Sequence, residues 1–142
     1  MFSIRISPLT DEMLDYAEHG APEGQALISI MDHNRDALDR FPAERVLRLA
    51  FDDAVDTSFW QNLITMEQAE AIRDFVLHYR DEIEILIVHC TEGVSRSAAV
   101  AAGIVAGLGG DDEAIWSCGR YRPNPRVYEW VRAAFEENDL QP

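Results

Sequence analysis

The sequence predicts an α/β fold: a central, mostly parallel sheet of four to five strands, flanked by helices on both faces. Two observations carry that expectation. Short apolar runs rich in branched residues alternate with stretches of helical period along the chain, and a parallel sheet with crossover helices needs that alternation. The length of 142 residues supplies one sizeable core and hardly two. Residues 1–142 are therefore expected to form a single domain, with no repeat, low-complexity tract or linker.

Residues 26–31 (ALISIM) and 46–51 (VLRLAF) read as strands, and 2–6 as a weaker one. Residues 83–88 (IEILIV) form a short branched run, as a buried strand should. Residues 65–80 read as a helix: Thr65 and Gln68 have capping-box spacing, and Ala69, Ile72, Val76 and Tyr79 share a face. Residues 97–108 (SAAVAAGIVAGL) are apolar all round, which predicts a buried helix stopped by Gly109 and Gly110. Asp111 or Asp112 can cap a further helix carrying Ile115 and Trp116. The last helix opens at Asn124-Pro125, with Val127, Trp130, Val131, Ala134 and Phe135 as its inward stripe.

Composition narrows the partners. Twelve basic residues, all arginine, stand against 26 acids, for a net charge of −14. Such a surface repels nucleic acid and anionic lipid at long range, so neither is expected as a partner. No apolar run approaches the roughly 20 residues of a membrane span. The N-terminus lacks a basic region followed by a long apolar stretch. These features predict a soluble, cytoplasmic protein. Two cysteines, Cys90 and Cys118, do not make a disulfide scaffold, and free thiols in a reducing compartment are expected.

The run HCTEGVSRS, residues 89–97, lies between the expected buried strand and the expected buried helix. Ligands of parallel sheets bind beyond the carboxyl ends of strands. A loop there points several backbone N–H groups into one hollow, and the helix dipole adds positive charge. The hollow suits phosphate. Gly93 permits a turn that a side chain would obstruct. Arg96, six positions after Cys90, can grip two phosphate oxygens with its planar fork. Positive surroundings favour thiolate over thiol, which makes Cys90 a sulfur nucleophile aimed at bound phosphorus. Thr91, Glu92, Gly93, Val94, Ser95 and Arg96 are the expected phosphate-binding residues. Ser95 and Ser97 can bond the loop or the sulfur. The route needs no cofactor or metal, and His19, His33, His78 and His89 are scattered rather than at ligand spacing.

HCTEGVSRS resembles the phosphate-binding signature of the cysteine-based protein tyrosine phosphatases. The Ser-Arg-Ser ending and the short chain are similar to the compact dual-specificity branch and its bacterial relatives. The resemblance implies a phosphatase fold and a phosphate monoester hydrolase acting through phosphocysteine. It makes Cys90 the nucleophile and Arg96 the phosphate ligand. His89 would tune the thiolate, Ser97 would assist the sulfur as leaving group, and Asn124 would buttress the loop. Relatives that cleave inositol-lipid phosphates carry lysines in this loop, where Thr91 and Val94 stand here with Glu92 between. Rhodanese-type sulfurtransferases have a loop one residue shorter. The implied substrate is a phosphorylated protein, carrying phosphotyrosine or also phosphoserine or phosphothreonine, or a small phosphate monoester. A phospho-binding module without turnover is the other alternative.

The family takes its general acid from an aspartate about thirty residues before the cysteine. Here Asp52, Asp53 and Asp56 lie 38, 37 and 34 positions before Cys90. Bacterial relatives end a hydrophobic strand in an acidic pair whose second member resembles the donor, which selects Asp53, then Asp52, then Asp56. Cys118 is expected to pack in a helix face rather than resolve an oxidised Cys90. Arg120, Arg122 and Arg126 in GRYRPNPR could form a basic rim, but pairing with neighbouring carboxylates is the favoured expectation.

Overall fold

The computed structural model describes residues 2–31, 38–40, 43–54 and 62–139. In chain order these form β1 (Ser3–Ser7), α1 (Asp11–His19), β2 (Gln25–Met31), β3 (Leu38–Arg40), β4 (Val46–Ala50), α2 (Met66–Tyr79), β5 (Ile85–His89), α3 (Arg96–Gly107), α4 (Glu113–Ser117) and α5 (Pro125–Asp139). The strands make one sheet in the order β1-β5-β2-β4-β3. β1, β5, β2 and β4 run parallel, and β3 adds an antiparallel edge. β5 lies between β1 and β2, so His89 has Ser7 in register on one side and Ser29 on the other.

Alternation along the strands sorts side chains onto two faces. Leu27, Val46 and Ile87 point to one face, where they meet Met13 and Ala17 of α1. Ala26, Ile28, Ile30, Leu47, Leu49, Leu86 and Val88 point to the other and join the core built with α2, α3 and α5. α2 begins with the anticipated capping box: Thr65 Oγ1 accepts the Gln68 N–H, and Gln68 Oε1 accepts the Thr65 N–H. The inward surface of α2 is wider than the expected stripe, since Gln68, Ala71 and Phe75 are buried too. Gln68 Nε2 also donates to Ala50 O at 2.9 Å, pinning the helix start to the end of β4.

α3 is buried on all sides from Arg96 through Ile104, because it lies between the sheet and α5. Close approach of α5 depends on two glycines. A Cβ on Gly103 would lie 2.8 Å from Val131 Cβ, and one on Gly107 would lie 2.5 Å from Phe135 Cβ.

Three elements depart from expectation. α1, capped by Thr10 Oγ1 on the Met13 N–H, was not anticipated, yet among the described residues it supplies the helix on its face of the sheet. β3, three residues long, was not anticipated either. α4 forms where expected but buries none of its residues, and Trp116 stays 41% exposed. No helix among the described residues is long and apolar enough to cross a membrane.

Replacing Gly103 by alanine raises helix propensity by up to about 1 kcal/mol. The added methyl overpacks the contact with Val131, at a cost of about 1–3 kcal/mol. Overpacking should win, and Gly103→Ala is expected to lower Tm in a calorimetric scan by about 2–6 °C. A raised Tm would show that α5 can retreat without loss.

Candidate active site

β5 ends at His89, and α3 starts at Arg96 with Ser95 as its N-cap. The residues between turn back sharply through Gly93, whose φ is +71°. A side chain is excluded there twice over. The conformation is one that L-residues rarely adopt, and a Cβ would lie 2.6 Å from Pro8 N and 2.8 Å from Ser7 C. The chain leaving β1 is thus pressed directly on the loop. Backbone bonds fasten it there, Leu9 N–H to Thr91 O at 3.1 Å and Cys90 N–H to Ser7 O at 3.3 Å. The segment leading into α5 holds the other flank, with Arg122 N–H to Val94 O at 2.9 Å and Asn124 N–H to Ser95 O at 3.3 Å.

Cys90 Sγ lies at the base of the turn. It accepts the Gly93 N–H at 3.3 Å and sits 3.1 Å from Ser97 Oγ. Asp53, Cys90, Thr91, Glu92, Ser95 and Arg96 line one hollow of about 250 Å³. The Arg96 guanidinium, 6% exposed, is held by oxygens at the strand ends. Its Nη1 donates to Phe51 O at 2.8 Å and to Met31 O at 3.4 Å, and its Nη2 donates to Thr91 Oγ1 at 3.2 Å. Oxygens without formal charge at the strand ends and on Thr91 thus orient the guanidinium toward the hollow. The Ser95 side chain does not cap α3, so it leaves the first-turn N–H groups at the positive end of the helix dipole uncovered.

His89 is fully buried behind this loop. Its Nε2 lies 2.6 Å from Ser29 Oγ, and its Nδ1 lies 3.4 Å from Cys90 O. Burial away from water pushes its pKa below the ordinary 6.5; the bond to the Cys90 carbonyl opposes the shift, and the Arg96 charge adds to it.

Two of the three candidate acids, Asp53 and Asp52, face different ways. Asp53 lines the hollow. Its Oδ1 accepts from Ser95 Oγ and from Asn124 Nδ2, each at 2.8 Å, which ties the acid-bearing segment to the loop. Asp52 points elsewhere: its Oδ2 accepts the Asn62 N–H at 2.7 Å, while its own N–H donates to Asn62 O at 2.7 Å. Asp56 and His33 lie outside the described residues. Asn124 is the hub on the far side. Its Nδ2 also donates to Ala54 O at 3.0 Å, and its Oδ1 caps α5 by accepting the Arg126 and Val127 N–H groups.

Some expectations do not hold. Ser95 bonds Asp53 rather than the loop backbone or the sulfur. Cys118 is exposed at the end of α4 instead of packed in a helix face, because α4 itself buries nothing. The rim arginines do not pair with carboxylates among the described residues: Arg120 lies over the Tyr121 ring and Arg126 over the Trp130 ring. Sequence reasoning also missed Ser29, the carbonyls of Met31 and Phe51 on Arg96, and the Ser7–Pro8 contact. The signal for Ser29 was one hydroxyl inside the otherwise apolar run ALISIM. No group of three or more His, Cys, Asp or Glu side chains that could hold a metal occurs among the described residues.

No protein-family model matches the chain, and neither does any curated protein sequence. Solved structures match in fold. PTPMT1 in complex with PI(5)P is similar at a TM-score of 0.59 and 18% identity, over 95% of this chain and 91% of that one. Human DUSP28 gives a TM-score of 0.59 at 16% identity, over 98% and 95%. Tk-PTP in its active form gives 0.55 at 18% identity, over 96% and 92%. All three belong to the cysteine-based protein tyrosine phosphatase superfamily, and this chain has their fold.

A buried, neutral His89 makes folding depend on pH. Below the ordinary 6.5 the unfolded chain takes up a proton that the folded chain resists. Stability is therefore complete above that value and falls as pH drops toward the depressed folded value. The Tm of the wild type, relative to that of His89→Asn, should decline between about pH 7 and pH 5. A difference that does not vary with pH would contradict a buried neutral imidazole.

Proposed function

We propose that the chain is a cysteine-dependent phosphatase, hydrolysing phosphate monoesters through a phosphocysteine, in the manner of the dual-specificity and tyrosine phosphatases. The carrying observation is the meeting of Cys90, Arg96 and Asp53 around one small hollow, with the Gly93 N–H bonded to Cys90 Sγ. The shared fold supports phosphatase chemistry in general.

In this reading phosphate enters the hollow and Arg96 grips two of its oxygens. Cys90 thiolate attacks phosphorus, the ester P–O bond breaks, and Asp53 delivers its proton to the departing oxygen. Asp53, now a carboxylate, takes a proton from water as that water attacks the phosphocysteine. The P–S bond breaks, and Ser97 Oγ, 3.1 Å from the sulfur, donates a hydrogen bond to the returning thiolate. Phosphate leaves. His89 stands behind the nucleophile, and Asn124 holds both the loop and Asp53 in place. The site calls for no cofactor and no metal. A free thiol suits a reducing compartment, the cytoplasm.

The proposed substrate is a phosphorylated protein, on tyrosine and also on serine or threonine, since the hollow is small and open to both. A small phosphate monoester is the alternative. PTPMT1 was crystallised with PI(5)P. Here the loop carries no lysine, and exposed Glu92 lines the hollow, so a polyphosphorylated headgroup would meet a carboxylate. The usual sign of a phospho-binding module without turnover is a lost cysteine or arginine, and both Cys90 and Arg96 are present.

Cys90→Ser should abolish hydrolysis of an aryl phosphate, and acid quenching of the wild-type reaction should leave phosphate on the Cys90 peptide in mass spectrometry. Wild type that binds phosphopeptide but turns nothing over would establish the module instead. Asp53→Ala should lower kcat/KM on phosphopeptides by about 10²–10⁴-fold, and much less on an aryl phosphate whose leaving group needs no proton. Equal losses on both would assign the proton to another group.

A further inference from the structure

We propose that Ser29 is a positioning residue for Cys90: its hydroxyl fixes the His89 ring, and the ring fixes the Cys90 carbonyl. The proposal rests on the reading of Cys90 as nucleophile, and its test is chosen to fail separately from that reading.

Ser29 sits in the middle of the sheet and is 2% exposed, with Leu27, Ile28 and Ile30 fully buried around it in sequence. A hydroxyl in such surroundings costs stability unless it is bonded. It is bonded across the sheet. Ser29 of β2 is in register with His89 of β5, and Oγ lies 2.6 Å from Nε2. Ser7, the register partner on the other side, turns its hydroxyl away to Pro8 O at 2.8 Å. The ring is thus held from one side by Ser29.

The direction of the chain of bonds follows from its end. Cys90 O is a carbonyl and can only accept, so Nδ1, 3.4 Å away, carries the ring proton. Nε2 then has a lone pair, and the Ser29 hydroxyl must donate to it. Burial disfavours the doubly protonated ring, and in the singly protonated ring each nitrogen has one role and one partner. The consequence lies in the next peptide. In a planar trans peptide the N–H points opposite to the C=O. Holding Cys90 O toward His89 therefore sends the Thr91 N–H away from His89, to the side of the loop that receives the anion. Losing Ser29 frees the ring, loosens that peptide and weakens the positive surroundings of Cys90 Sγ.

Among the described residues, the charged and titratable groups facing Cys90 are Arg96 from α3, Asp53 from the segment after β4, Glu92 from the loop and His89 from β5. The β1 and β2 residues in register with His89 are Ser7 and Ser29, which do not titrate. Ser29→Ala leaves all the charges in place, so a change in sulfur reactivity reports the hydrogen bond.

Alkylation of Cys90 by iodoacetate reads this directly, in a Cys118→Ser background that removes the exposed thiol. Ser29→Ala should slow alkylation at about pH 6 by about 3- to 10-fold, the factor one hydrogen bond carries. At about pH 9.5, where a thiol is ionised without help, the rate should match the wild type. Ser29→Thr, which keeps the hydroxyl, should restore the wild-type rate at low pH. Equal rates at both pH values, or an equal fall at both, would overturn the proposal. If Ser29→Ala does not fold, nitrogen NMR of the wild-type ring decides: a proton on Nδ1 supports the proposal, and one on Nε2 sinks it. Cys90→Ser that still hydrolyses ester would instead refute the phosphatase reading and leave these outcomes standing.

Discussion

Contact between the chain after β1 and the loop after β5 is the constraint on which the site depends. Gly93 sits at φ +71° with no room for a side chain against Ser7 and Pro8. That crowding makes the turn tight enough for the Gly93 N–H to reach back to Cys90 Sγ at 3.3 Å. A looser turn would send those amides to solvent, and the cysteine would become one more buried thiol. Stability and chemistry therefore share one origin: the pairing of β1 with β5, far apart in sequence, shapes the loop.

The polar groups around the loop show the same economy. Arg96 is too buried to remain unbonded, and the carbonyl ends of the neighbouring strands and Thr91 hold it in place. Asn124 caps α5 with its oxygen while its nitrogen grips Asp53 and Ala54. The helix that closes the core on α3 is thereby fastened to the candidate acid, so a change in α5 packing reaches the acid as well as the fold. Satisfied polar networks of this kind specify one arrangement because any partial version leaves a buried group unpaired.

Much of the fold was legible in the sequence because strong periodicity reports burial. The runs at 26–31 and 46–51 and the all-apolar 97–108 have one reasonable home each. α1 was not legible: DEMLDYAEH buries only Met13 and Ala17, so its apolar stripe is too thin to stand out among acids. β3, with three residues, is too short to show alternation. At the site, Cys90, Gly93 and Arg96 announce themselves because all lie within one turn of chain, so local spacing suffices. Asp52 and Asp53 cannot be told apart by spacing, since adjacent residues differ only in the direction they face. Ser29 was hidden for a deeper reason. Its partner is sixty positions away, and only the strand register reveals that they touch.

A crystal soaked with vanadate tests the central claim most directly. The account predicts vanadium bonded to Cys90 Sγ, its oxygens among the loop amides, Arg96 bound to two of them and Asp53 facing the apical oxygen. A hollow that stays empty at saturating vanadate, or an anion bound away from Cys90, would contradict it.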